Sequence, residues 1–214
     1  MNTICLQHVL PVVFSGRTDI DSQVWRQELT LRRGEICLVE AGSGRGKTSL
    51  CSYLIGHRCD YEGRILFDER DIRTLSQGEW VDVRQHHLSS LFQELRLFPE
   101  LTALENVEIK NTLTHYKPHR EILQWFEQLD IADKAHVLVG RMSYGQQQRV
   151  ALMRALAQPF DFLLADEPIS HLDDANAQAM GQLMLRETRA QGAGLIVTSI
   201  GKHLDLPYDI HLVL

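Results

Sequence analysis

The sequence predicts an α/β fold built on a mostly parallel sheet, from three observations. Short β-rich runs bounded by turn residues, "EICLVE" (35–40), "RILFD" (64–68), "SSLFQ" (89–93), "DFLLAD" (161–166) and "GLIVTS" (194–199), alternate with helix-like segments, the pattern of parallel strands with helical crossovers. A glycine-rich turn, "AGSGRG" (41–46), joins the first of these runs to "KTSLCSYLI", which has helical apolar spacing. The alternation is broken only by a helical stretch from Thr102 to Leu129 and by an N-terminal region of about 35 residues with the turn spacing of antiparallel strands.

Within the helical stretch, "TALENVEIKNTL" opens on Thr102 with Glu105 three residues later, the spacing of a capping box. "PHREILQWFEQLD" opens on Pro118, suited to a first helical turn because that position needs no N–H donor. The chain closes on "DIHLVL", a last strand with no further domain expected after it. We expect one domain over residues 1–214, with a helical subdomain at approximately 95–157 inserted in the α/β core.

Of the 214 residues, 44% are hydrophobic, enough for a sizeable core, and a net charge of −6 gives no electrostatic reason to expect nucleic acid as a partner. No run approaches the ~18 apolar residues of a membrane span, and the N-terminus lacks the basic start of a signal peptide, so a cytoplasmic location is expected. Cys5, Cys37, Cys51 and Cys59 form no C-x-x-C pair and lie in or beside apolar segments, so they read as reduced, buried, small hydrophobes.

Strand, glycine-rich turn and helix in that order let backbone N–H groups converge on an anion at a helix N-terminus. The turn fits G-x-x-x-x-G-K-[ST] except that Ala41 stands where the first Gly belongs, the least demanding position if its φ is negative. Gly42, Ser43, Gly44, Arg45 and Gly46 would wrap a phosphate chain, with Lys47 as point charge, Thr48 as a Mg²⁺ ligand and Ser49 beside it. "FLLADEP" (162–168) ends a buried strand in two carboxylates, which strand alternation would send to different faces: Asp166 toward the metal, Glu167 toward the attacking water.

Between these sites lies "RMSYGQQQRVALMRALA" (141–157), where Ser143 and the backbone of Gly145 would present a hydroxyl, an N–H and a helix dipole to an anion. Here the chain resembles an ATP-binding-cassette (ABC) ATPase, a P-loop NTPase with a RecA-like core, an N-terminal antiparallel β region and a helical subdomain. The family signature L-S-G-G-Q stands as "MSYGQ", placing Ser143, Gly145 and Gln146 against an ATP held by a second cassette. "LFQELRLFPELTALENV" resembles the Q-loop region, which gives Gln93 a place at the Mg²⁺ shell. "ISHLD" (169–173) resembles the loop that follows the catalytic Glu. Phe14 matches the aromatic that stacks on adenine, with a plain core role as the competing reading.

The resemblance implies ATP and Mg²⁺ as ligands, and a second cassette as partner, in a homodimer or a heterodimer. It also implies a separate integral-membrane permease, with the chain peripheral on the cytoplasmic face of the cell membrane. The short single cassette looks most like the lipoprotein-release, macrolide-export and cell-division branch. Two alternatives stand beside it: a soluble ABC ATPase acting on nucleic acid or ribosomes, and a nucleotide-gated binding module with weak turnover.

Two further departures carry consequences. Tyr144 replaces the first Gly of the signature, which alters the geometry of that turn. Ser199 occupies the place of the family's γ-phosphate-contacting His, with His203 four residues later as a conceivable substitute. Losing such a contact costs ~2.7–4 kcal/mol by analogy with an oxyanion-hole donor, so slow hydrolysis is expected.

Overall fold

The computed structural model describes the whole chain, residues 1–214. β1 (Thr3–Pro11) pairs antiparallel with β2 (Glu28–Arg32) and β4 (Tyr61–Phe67), and β5 (Arg70–Asp71) extends β4, giving a sheet ordered β2-β1-β4-β5. β3 (Ile36–Glu40), β6 (Leu88–Leu91), β7 (Phe162–Asp166), β8 (Gly194–Ser199) and β9 (Ile210–Val213) form a parallel sheet ordered β6-β7-β8-β3-β9. All five β-rich runs read from the sequence are strands.

Alternate residues of β7 and β8 serve two separate cores, as the two-residue strand period requires. Leu163, Ala165, Leu195 and Val197 join a 34-residue cluster with the helical region. Phe162, Leu164 and Ile196 join a 23-residue cluster that includes α1 (Lys47–Leu54) and the antiparallel sheet. The parallel sheet is therefore covered on both faces, which explains why its strands are nearly continuous apolar runs.

After the short α2 (Gln77–Asp82), the helical region is α3 (Ala103–Asn111), α4 (His119–Gln128) and α5 (Tyr144–Leu156), with α6 (Asp174–Ala190) returning toward β8. Thr102 and Glu105 make the expected reciprocal capping box. Pro118 is the N-cap of α4, one position before the expected first turn, and Ile122, Trp125 and Phe126 at i, i+3, i+4 bury one face.

Asn106 secures the approach to this region. It is 0% exposed, accepts from the Phe98 N–H at 2.8 Å and donates to the Phe98 and Thr102 carbonyls at 3.0 Å each. Asn106→Ala strands these backbone groups in an apolar setting and is expected to cost about 1–3 kcal/mol. A urea-denaturation midpoint equal to that of the wild type would contradict this.

The cysteine expectation holds in part. Cys37 and Cys51 are buried, but Cys5 is half-buried and Cys59 is exposed. Cys59 lies in the polar turn "HRCD" between α1 and β4, where no apolar periodicity draws a side chain inward.

Candidate nucleotide site

Three strands deliver the site at their carboxyl ends, where open α/β sheets bind ligands. The loop after β3 carries residues 41–46, β6 leads into Gln93, and β7 ends on Asp166 and Glu167.

Gly46 caps α1 at φ 100°, a conformation that excludes a side chain, and a Cβ there would lie 3.0 Å from the Trp25 ring and 3.2 Å from Phe14. Trp25, only 2% exposed, also donates its indole N–H to the Arg45 carbonyl at 3.0 Å. The glycine-rich loop is thus braced from behind by an aromatic that the sequence reading did not single out; its only signal was an isolated Trp in a polar stretch. Ala41 is 8% exposed and keeps a negative φ, the condition under which a methyl group is tolerated there.

The Lys47 ammonium donates to the Ala41 and Gly42 carbonyls at 2.9 and 3.1 Å and lies 3.6 Å from the Glu167 carboxylate. At 4% exposure it is a cation held by the loop and by one carboxylate, facing the cleft that Phe14, Ser43, Gly44, Thr48 and Ser49 line. Gln93 bridges the cleft, accepting from the Thr48 hydroxyl at 3.4 Å and donating to Glu167 at 3.3 Å.

Asp166 is buried and accepts from the Thr198 hydroxyl. Burial pushes its carboxyl above the usual range, although the hydroxyls of Thr198 and Thr48 and the Lys47 ammonium pull the other way. A buried carboxylate held at a net cost, beside a hydroxyl and an amide oxygen, is an all-oxygen donor set of the kind that hard Mg²⁺ takes. The residues present therefore fit that ion.

Strand alternation does not account for Glu167. β7 ends at Asp166, and Glu167 adopts φ 50°, so both carboxylates serve one cluster instead of opposite faces. Lys47, within 3.6 Å of Glu167, offsets some of the repulsion that this convergence would otherwise cost.

Phe14 lines the cleft, half-buried, with the Arg17 guanidinium 5.6 Å from its ring centre. Ser199 does not line it. Its hydroxyl donates to the Lys202 carbonyl, it is 2% exposed, and the exposed side chain at the cleft wall is Ile200. His203 is drawn 3.6 Å from Glu40, which also pairs with His211, so it does not stand in for the missing His.

Ser143, Gly145 and Gln146 lie apart from this cleft's lining, at the start of α5. Ser143 is the N-cap, and Gln146 completes a capping box by accepting from the Ser143 N–H at 3.0 Å. Tyr144, 42% exposed, donates its hydroxyl to the Gln93 carbonyl at 2.9 Å, a contact with no local signal in the sequence.

A phosphate loop closed by a helix N-terminus, with two carboxylates at the end of β7 in the same parallel sheet, one strand removed from β3, defines a P-loop NTPase. The ABC transporter family model matches residues 25–170, and the chain belongs to that family. It is 30% identical to the ABC transporter ATP-binding protein YtrE of Bacillus subtilis over 90% of this chain and 84% of that protein. It is 32% identical to the lipoprotein-releasing system ATP-binding protein LolD of Myxococcus xanthus, over 80% of this chain and 78% of LolD. The dimeric structure of MJ0796, a bacterial ABC transporter cassette, superposes with a TM-score of 0.78 at 27% identity, covering 92% of this chain and 87% of that one. A dimeric post-hydrolysis state of MJ0796 bound to ADP and Pi superposes with a TM-score of 0.76 at 25% identity. The chain is accordingly an ATP-binding transporter subunit and an ATPase that works on ATP with Mg²⁺.

Proposed function

We propose that two such cassettes pair head to tail, each Lys47 loop facing the partner's Ser143 turn, and that ATP held between them drives a separate membrane permease. The observation that carries this reading is the convergence of Lys47, Thr48, Gln93, Asp166 and Glu167 at the carboxyl ends of three strands of one parallel sheet, with Ser143 on a separate helix outside that cluster.

In this reading the backbone of residues 42–46 and the Lys47 ammonium bind the phosphates, and Phe14 offers its ring to the adenine. Thr48, Gln93 and Asp166 would hold Mg²⁺, which would supply positive charge against the phosphates of ATP. Glu167 orients and deprotonates the attacking water, and Gln93, bonded to it, positions that carboxylate. From the partner, the Ser143 hydroxyl, the Gly145 N–H and the positive end of α5 meet the γ-phosphate, and Gln146 lies beside them. Residues 95–157 act as the helical subdomain that carries motion outward, in a single domain over 1–214.

No helix is long and apolar enough to cross a membrane; in this reading the separate permease supplies the span. We place the chain on the cytoplasmic face of the membrane, against that permease. A groove between the two lobes suits the docking: Phe98 and Ile109 expose apolar surface at its rim, and His57, Arg84, Arg96, Lys110 and Arg154 line it with no carboxylate. Burial, then Arg154 and Arg84, push the Lys110 ammonium down, and burial pushes Arg154 down to about 10. Cations crowded at that cost, in a chain of net charge −6, fit a permease segment that brings acidic side chains beside an apolar anchor.

The test is purification of the chain from solubilised membranes in ATP. A polytopic membrane protein in stoichiometric amount is expected; recovery of ribosomal or DNA-bound proteins alone would move the reading to a soluble ABC ATPase.

Hydrolysis is slow, because Ser199 is spent on its own turn and Ile200 occupies the cleft wall. Ser199→His is expected to raise turnover about tenfold or more, a part of the ~10²–10³ that one such donor is worth, because the 200–203 turn must open to admit the ring. Wild-type turnover of tens per second, unchanged by the substitution, would refute this.

A further inference from the structure

Tyr144 does something that a glycine in its place cannot. It is the first residue of α5, next to the Ser143 cap, and its hydroxyl reaches the Gln93 carbonyl at 2.9 Å. Its ring packs edge-on against His171 with centroids 4.7 Å apart. The adjoining Gly145 sits so near the same loop that a Cβ would lie 3.1 Å from Leu172. The start of α5 is thereby fixed to two segments of its own chain: the loop of Gln93, and the loop 169–173 that follows Glu167.

Gln93 is the residue whose side chain spans Thr48 and Glu167, at 3.4 and 3.3 Å. A ligand that takes up Thr48 and Glu167 displaces the Gln93 side chain from that bridge, and a backbone shift at Gln93 that accompanies it acts on the carbonyl that Tyr144 holds. The 2.9 Å hydrogen bond that the Tyr144 hydroxyl donates to that carbonyl links it to the first turn of α5, where Ser143 and Gly145 lie. The hydroxyl and the ring of Tyr144 are both engaged, which restrains the side chain to one orientation between the two loops.

We propose that Tyr144 is a positioning residue that couples the two nucleotide sites of the paired cassettes: occupation of a chain's own site, through Gln93 and the Tyr144 hydroxyl, sets the turn that serves the site across the interface. The inference rests on the head-to-tail reading above. Coupling of this kind is reciprocal in binding free energy, so each bound ATP favours the second.

The experiment uses the full chain carrying Glu167→Gln, with and without Tyr144→Phe, which removes the hydroxyl and keeps the ring. Dimer formation is followed by light scattering against ATP concentration. Binding of a fluorescent ATP analogue is measured on dilute monomer, and the Hill coefficient of hydrolysis is measured in the chains that retain Glu167.

Monomer binding and the thermal transition are expected to stay unchanged with Tyr144→Phe. The ATP needed for half dimerisation should rise about fivefold, the worth of one hydrogen bond, and the Hill coefficient should fall toward 1. Tyr144→Gly, which also loses the His171 contact, should show at least as large an effect. Unchanged dimerisation and Hill coefficient in Tyr144→Phe, or tighter dimerisation in Tyr144→Gly, overturns the proposal while leaving the paired-cassette reading intact. If the chain with Tyr144 intact and Glu167→Gln fails to dimerise in ATP, the paired reading itself falls and takes this coupling with it.

Discussion

Replacing Glu167 by Gln is expected to lower ATP turnover by about 10²–10⁴-fold, the usual worth of a positioned general base, equivalent to roughly 2.7–5.5 kcal/mol of barrier. The amide keeps the size and the reach of the carboxylate, so the Gln93 contact at 3.3 Å can be retained with one rotation of the new side chain. What it loses is the ability to accept a proton from water, and the anion 3.6 Å from Lys47. Removing that anion frees the Lys47 ammonium for phosphate, so nucleotide affinity should hold or rise while hydrolysis collapses. ATP-driven pairing of the cassettes should then persist. Steady-state phosphate release and light scattering on one preparation measure both halves. Turnover within threefold of the wild type would remove Glu167 from the chemistry, and loss of binding together with turnover would point to a damaged loop instead.

The role proposed for Glu167 was legible in the sequence, but its geometry was not. "FLLADEP" identified a buried strand ending in two carboxylates, because four apolar residues in a row demand a covered strand and adjacent acids at its end demand a reason. The period of two sent the acids apart; the φ of 50° at Glu167 brings them together, and a non-glycine positive φ leaves no mark in composition. The same limit explains Trp25 and Tyr144. Both act through long-range contacts, among them hydrogen bonds to Arg45 and Gln93 across 20 and 51 residues of chain. Local signals fared better. The Thr102–Glu105 capping box, the five strand runs and the glycine-rich turn are all encoded within a few residues of where they act. Ser199 lies between these cases: its identity showed that an imidazole is missing, and only the structure shows its hydroxyl turned onto Lys202 and Ile200 placed at the cleft.

Charge reversal in the interlobe groove should separate transport coupling from folding. Lys110 is the cleanest position, because its ammonium makes only a 3.4 Å contact with the Arg84 carbonyl, whereas the Arg84 and Arg154 guanidinium groups hold backbone carbonyls at 3.1 Å and 2.6 Å. Placing a carboxylate among Arg84, Arg96 and Arg154 relieves like-charge crowding, so Lys110→Glu should not lower the thermal transition of the purified chain. Toward the acidic permease segment proposed above, the same change would replace attraction by repulsion in a partly desolvated groove. Losing one buried interfacial charge pair costs about 2–5 kcal/mol, so association should weaken by about thirtyfold at the least. The measurement is recovery of the membrane partner with Lys110→Glu compared with the wild-type chain at equal expression. A Lys110→Gln control should fall between them, since it removes the attraction without adding repulsion. Equal recovery of the partner by all three chains would show that the permease segment brings no acidic side chain to Lys110, and that the apolar rim at Phe98 and Ile109 carries the docking alone.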